Sequence, residues 1–176
     1  MSGKTLLSAP SDDGRPLYYP VSRRKLIVLC IFSLGLYEVY WFYKNWALIK
    51  LRTRRDIDPL ARAFLAFFYA DELFENVASV GRVHMVPGTI RPGLLWLAYV
   101  ALGFLVNLPS PFLLLALLSF LPLLPVQRMM QDINLRVAHC AEIDDRFRGA
   151  DIAIIILGSI ALIWITIPPV SGWLSH

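Results

Sequence analysis

Uncharged apolar stretches alternate with short charged segments along the chain of 176 residues. The first apolar run covers residues 26–43, which is 18 residues. As an α-helix it would extend about 27 Å, close to the ~30 Å of a bilayer's hydrocarbon core. We therefore predict a first membrane-spanning helix over about residues 26–46.

The second apolar run, residues 60–80, differs from the first because Asp71, Glu72 and Glu75 lie near its middle. Carboxylates at the centre of a bilayer are costly unless they are neutralised or paired. The run either spans the membrane and lines a polar cavity, or lies in the interface with its acidic edge in water. The pattern leaves both interpretations open.

The third apolar region is too long for one span. Residues 92–127 are 36 uncharged positions, or about 54 Å of helix. Pro109 and Pro111 interrupt it, since proline lacks an amide donor and disfavours helix at the preceding residue. We predict a hairpin of helices over 93–108 and from 111 onward, and a last span over 151–167 that ends at Pro168 and Pro169.

The strongest periodic signal lies in residues 126–140, where apolar side chains fall within one arc of about 100°. This pattern predicts an amphipathic end to a helix over 111–140. Its apolar contact face is expected to lie on a membrane, on a partner helix or on the protein's own helices. The residues of that face are Met129, Met130, Ile133 and Val137.

Composition agrees with a membrane location, with 57% apolar residues, 17% charged residues and a mean hydropathy of +0.57, unlike typical soluble domains. We predict an all-α, polytopic integral membrane protein with four full transmembrane helices and one contested interfacial or half-buried helix. Its domains are a disordered tail (1–22), a single membrane domain (23–170) and a short tail (171–176). The expected location is the inner (plasma) membrane, multi-pass, with the orientation of the termini left open.

The basic residues point to lipid rather than nucleic acid. Lys and Arg number 17 against 13 Asp and Glu, a net charge of +4, but they flank apolar runs instead of forming one patch. Anionic lipids are the expected partner. No hydrolase, metalloprotease or nucleotide-binding motif occurs, and Cys30 and Cys140 lack zinc-site spacing. We therefore expect neither an enzyme nor a cofactor or metal.

Ionisable and amide groups inside the apolar runs are the candidates for a polar site. They are Glu38, Asp71, Glu72, Glu75 and Asn76. On a helix Asp71 and Glu75 share a face, as do Glu72 and Asn76. Together with Glu38 they could bind a cation, relay a proton or pair with Arg62 or Arg82. Alternatively, Glu38 pairs locally and the acidic residues face water.

An aromatic cluster closes the first predicted helix. Aromatic side chains of this kind sit at headgroup level in membrane proteins. The expected interface anchors are Tyr40, Trp41, Tyr43 and Trp46.

Residues 18–22 and 35–46, with Gly-Leu-Tyr-x-x-Tyr-Trp-Phe-Tyr-Lys-Asn-Trp in the second segment, resemble a family of small bacterial inner-membrane proteins of unknown function. Residues 62–64 and the segment from Pro125 through Gln127 to Asn134 are similar in kind. The resemblance implies a multi-span bacterial membrane protein. It implies no activity, so it assigns no catalytic residue.

Three functional hypotheses follow. The first is a non-enzymatic scaffold or accessory subunit that acts through helix and lipid contacts, with a second copy of the chain or a membrane protein as partner. The second is an ion or proton transporter or channel-like protein that uses Glu38 and the face formed by Asp71 and Glu75. The third is a toxin-immunity membrane protein.

Overall fold

A computed structural model of the protein describes residues 15–105, 117–137 and 143–166. These ranges contain seven α-helices and one short 3₁₀-helix joined by loops, and the one β-type contact within them is an isolated bridge between Val21 and Asp144. The helices are α1 (Arg23–Phe32), α2 (Leu36–Thr53), α3 (Pro59–Phe64), α4 (Ala66–Val83), α5 (Pro92–Phe104), α6 (Leu123–Val137) and α7 (Gly149–Thr166), with the 3₁₀-helix at Leu117–Phe120.

The predicted polytopic membrane architecture was wrong. Across residues 15–105, 117–137 and 143–166, no helix is both long enough and apolar enough to cross a bilayer. The predicted multi-pass location in the inner membrane is corrected for the same reason. In the first two apolar runs the physical reason is plain, because a chain break divides each run into two helices and acidic side chains lie within both.

The first run shows how a break divides it. Helix α1 ends after 10 residues at Phe32, and α2 begins only at Leu36. Between them Gly35 adopts φ +87°, a left-handed conformation that glycine enters without steric cost. The Gly35 amide donates to the carbonyl of Cys30 and so closes α1. The helix predicted over 26–46 is therefore two helices with a turn between them.

The contested second run is also divided. The Asp58 side chain caps α3 by accepting from two backbone amides, and Pro59 occupies the first helical position, as is common at helix starts. A break at Leu65 separates α3 from α4. On α4 the apolar side chains Leu73 and Phe74 are buried, while the acidic side chains lie toward the opposite edge, so α4 is an amphipathic helix.

The predicted tail contains part of the core. We call residues 17–22 the strap: they form an extended segment that precedes α1 and lies among the helices, with Leu17, Tyr18 and Val21 buried. The prediction of a disordered tail over 1–22 does not describe residues 17–22, and residues 1–14 lie outside the described part of the chain. The proposed hairpin turn at 107–111 lies outside it as well.

Two glycines allow close helix packing. A Cβ at Gly81 in α4 would lie 3.1 Å from the Met129 sulfur in α6, and a Cβ at Gly158 in α7 would overlap the backbone carbonyl of Phe32 at the end of α1. The bundle therefore has α6 against α4, and α7 against α1. Helix α7 lies beside the first helix of the chain, although more than 100 residues separate them in sequence.

Candidate functional site

The structure does not bring the five predicted polar-site residues together. Glu38 is buried at 5% exposure, and its carboxylate accepts a hydrogen bond from the Ser119 hydroxyl at 2.5 Å. Burial raises the pKa of Glu38 from 4.5 to about 7, although hydrogen bonding to Ser119 and Tyr99 opposes the shift. Glu38 is thus a buried carboxyl group that changes charge near neutral pH.

Two acidic residues of α4 form ion pairs with arginines and not a shared site with Glu38. Glu72 pairs with Arg62 of α3 at 2.6 Å, and Glu75 pairs with Arg82, about two turns further along α4, at 3.1 Å. Asp71 is exposed. Pairing with these two arginines was one of the alternatives that the sequence left open, and the structure contains both ion pairs.

Asn76 belongs to the interior. Its side chain is 2% exposed, and its carbonyl oxygen accepts from the Tyr18 hydroxyl at 2.7 Å. Arg52 stacks over the Tyr18 ring and donates weakly to the same oxygen at 3.4 Å. Burial raises the pKa of Tyr18 to about 12 in spite of this arginine, so the hydroxyl stays protonated and acts as the donor.

The four expected interface anchors divide between the core and the surface. Trp41 and Trp46 are buried, whereas Tyr40 and Tyr43 are 42% and 37% exposed. The Trp41 ring nitrogen donates to the Gln127 side-chain carbonyl at 2.7 Å. Two of the four side chains therefore serve internal packing and cannot lie in a lipid headgroup layer.

The predicted contact face on residues 126–140 packs on the protein's own helices, the third of the three possibilities that the sequence left open. Met129, Met130 and Ile133 are buried, and Val137 packs against the same core. This face of α6 lies against α4. It is internal, so it is not a surface for lipid or for a partner. Residues 138–140 of the predicted helix lie outside the described ranges.

Sequence reasoning missed the side-chain amides that hold the strap. The Asn134 amide forms two bonds to Tyr18, accepting from its backbone N–H at 3.0 Å and donating to its C=O at 2.8 Å. Asn45 accepts from the Tyr19 amide at 3.0 Å. Gln127 donates to the Val21 carbonyl at 2.8 Å. A segment outside any sheet thus has its backbone groups paired, as buried backbone requires.

Gln127 and Asn134 are polar residues of α6 that lie outside its predicted apolar contact face. They are polar and border the apolar arc, yet they are 0% and 2% exposed. Their spacing of seven residues puts both near the same side of a helix. This seven-residue spacing is the sequence signal that could have indicated a shared role for Gln127 and Asn134. That role is to hold the segment that contains Tyr18, Tyr19 and Pro20.

Apolar side chains that the core does not cover form a stripe on α7. We call this the α7 stripe: four isoleucines at successive turns that are 49–57% exposed. Its members are Ile152, Ile156, Ile160 and Ile163. Trp164 beside the stripe is 81% exposed. A continuous exposed apolar surface of this kind marks an interaction site more often than isolated exposed residues do.

A second exposed apolar surface lies on α3, the start of α4 and α5. Phe64 and Phe68 are 70% and 77% exposed, and Leu94 and Leu97 are 59% and 57% exposed. Within residues 15–105, 117–137 and 143–166, no group of His, Cys, Asp and Glu could hold a metal ion.

The fold and its surfaces define an all-helical protein with a hydrogen-bonded strap in its core and uncovered apolar helix faces outside. The chain matches no family model, no curated protein and no solved structure. The family resemblance noted in the sequence therefore stays a prediction. The residues that carry it, including Tyr18, Trp41, Asn45, Gln127 and Asn134, lie together around the strap.

Proposed function

We propose that the protein is a non-enzymatic scaffold or accessory subunit that associates through the α7 stripe, with a second copy of the chain as its partner. The observation that supports this most directly is the stripe itself. Its four isoleucines are about half exposed, although the opposite side of the same helix packs closely on α1 through Gly158.

The spacing of the stripe suits a helix pair. Its members are separated by four, four and three residues, the pattern that lines one face of a helix over about 17 Å. From residue 152 to 166 α7 carries no charged residue. Two copies can therefore approach face to face without like-charge repulsion, as a self-complementary two-fold interface requires.

The test compares oligomeric state across matched variants. We expect the wild-type chain to be dimeric or larger by light scattering after gel filtration, and the double variant Ile156→Asp with Ile160→Asp to be monomeric. The control is Leu94→Asp with Leu97→Asp on α5, because those leucines have nearly the same exposure. A monomeric wild type, or a dimer that survives the α7 changes, would contradict the proposal.

The transport hypothesis has less support from the geometry. It needs Glu38 and the acidic face of α4 in one patch. Glu38 instead bonds to Ser119, while Glu72 and Glu75 each pair with an arginine.

A further inference from the structure

A groove lies between α1, the start of α2 and α7, on the side of α7 away from its stripe. It encloses about 700 Å³, within the ~300–1,000 Å³ typical of small-molecule sites. Most of its wall is apolar, including Phe32, Leu36, Ile154, Leu157 and Ala161. Its size and lining suit one apolar chain.

A cluster of charged side chains forms part of the groove lining. The Lys25 ammonium bonds to Asp144 at 3.2 Å, to Asp151 at 2.8 Å and to the backbone carbonyl of Arg146 at 2.7 Å. An ammonium group has three donors, so these three partners use all of them. Lys25 therefore has no donor left for a ligand.

The charges in this cluster balance. The groove is lined by two cationic side chains, Lys25 and Arg148, and by two carboxylates, Asp144 and Asp151. Burial acts to raise the pKa of Asp151, but bonds to the Arg148 amide and to Lys25 outweigh it and lower that pKa. The lining thus carries no net charge at neutral pH.

Tyrosine hydroxyls supply the remaining polarity. Tyr19, Tyr37 and Tyr40 line the groove, and the hydroxyls of Tyr19 and Tyr37 lie 3.5 Å apart. Burial raises the pKa of Tyr19 and of Tyr37, so both phenols remain neutral. A neutral phenol can both donate and accept a hydrogen bond.

We propose that this groove binds a small amphiphile with a single apolar chain and an uncharged hydrogen-bonding head, for which a long-chain alcohol is the simplest example. The apolar wall takes the chain, and the tyrosine hydroxyls bond to the head. A charged head would lose its hydration and find neither a net opposite charge nor a free Lys25 donor, and burial of an unpaired charge is costly. This inference does not depend on the α7 stripe.

The first experiment measures head-group preference. The full chain is saturated with the neutral dye Nile red, which is then displaced by dodecanol, dodecanoate or dodecylammonium, each below its micelle concentration. We expect dodecanol to displace the dye at a concentration about tenfold lower than either ion. The proposal would be overturned if all three ligands displaced the dye at the same concentration, or if either ion displaced it at a lower concentration than dodecanol.

The second experiment locates the binding. Ala161→Phe fills the groove, whereas Ala153→Phe places the same side chain on an exposed part of α7 outside it. Ala161→Phe should weaken Nile red binding about tenfold, and Ala153→Phe should leave it unchanged. Equal binding by both variants would place the dye elsewhere and refute the site.

A second pair of variants keeps the test decisive if Ala161→Phe fails to fold. Arg148 and Arg146 are both exposed, but only Arg148 lines the groove. Arg148→Gln leaves one net negative charge there, so dodecylammonium should gain potency relative to dodecanol, while Arg146→Gln should retain the wild-type ratio. Identical ratios in the two variants would contradict the charge-balance argument.

Discussion

The strap region buries polar side chains, whereas the α7 region exposes apolar side chains. Around the strap, amide side chains such as Asn45 and Asn134 are buried and hydrogen-bonded to backbone. On α7, isoleucines such as Ile156 and Ile160 are more than half exposed. The comparison shows that residue polarity alone does not decide burial. A polar group is stable inside when its bonds are made, and the apolar face of α7 stays outside because no helix in the described part of the chain packs over it.

The largest expected effect is in the strap region. Asn134→Ala removes the two bonds to Tyr18 and leaves a buried N–H and C=O unpaired, so we expect the free energy of unfolding to fall by roughly 4 kcal/mol in urea denaturation. Gln131→Ala is the control, because Gln127 also donates to the Val21 carbonyl that Gln131 serves. A loss below about 1 kcal/mol for Asn134→Ala would show that the strap is not held by its amides.

The next effect concerns the buried carboxyl group of Glu38. Its pKa is about 7 in the folded chain, raised from 4.5, so between those values the folded state binds more protons than the unfolded state. The stability that Glu38 contributes is then fully present below about pH 4.5 and is lost as pH rises through about 7. Between about pH 5 and pH 8 we expect a loss of roughly 2–3 kcal/mol.

The control for this effect is Glu38→Gln, which keeps the shape and cannot ionise. Urea midpoints of both proteins at the two pH values provide the measurement. The variant should lose most of the pH dependence and be the more stable protein at high pH. An unchanged pH profile in Glu38→Gln would assign the dependence to another group.

Disturbing the close contact between α7 and α1 is expected to lower stability by a smaller amount. A Cβ in Gly158→Ala would overlap the Phe32 carbonyl, so α7 must move away from α1 at a cost of about 2 kcal/mol. Gly149→Ala at the other end of α7 is the matched control, because nothing lies within 4 Å of its added Cβ. Hydrogen exchange should show α7 amides less protected in Gly158→Ala only. Equal exchange in both variants would mean that close packing does not hold α7.

The smallest effect is expected for the exposed acidic residues of α4. The Glu75–Arg82 pair has both side chains nearly 60% exposed, and exposed ion pairs contribute little because solvent screens them. Glu75→Ala should change the thermal midpoint by no more than Asp71→Ala, which removes an exposed carboxylate of the same helix. A clearly larger loss for Glu75→Ala would assign this pair a structural role that its exposure does not predict.

Several local features were predictable from the pattern of the sequence. The apolar arc of α6 was placed correctly on Met129, Met130 and Ile133, since these residues are buried. Leu135, which breaks that arc, is 51% exposed. Helix α7 occupies residues 149–166, close to the predicted bounds of 151–167, although the prediction that this helix spans a membrane was wrong. Such periodic features are local, so the sequence displays them directly.

The chain breaks that divide the apolar runs, and the position of the strap, were not predictable from local sequence patterns. A single glycine at position 35 divides the first run, and its left-handed φ becomes evident only from the turn that it forms. The strap depends on bonds between residues as far apart as Tyr18 and Asn134, 116 positions along the chain. No local pattern reports such a pairing.

The sequence by itself determined that the chain is rich in helices, that α6 has one apolar face and that α7 is apolar along its length, because these properties depend on residue type and helical period. Only the tertiary structure decided which faces are covered. It buried Glu38, Gln127 and Asn134 because distant elements supply their hydrogen-bond partners. It left the α7 stripe uncovered because α1 packs on the opposite side of that helix.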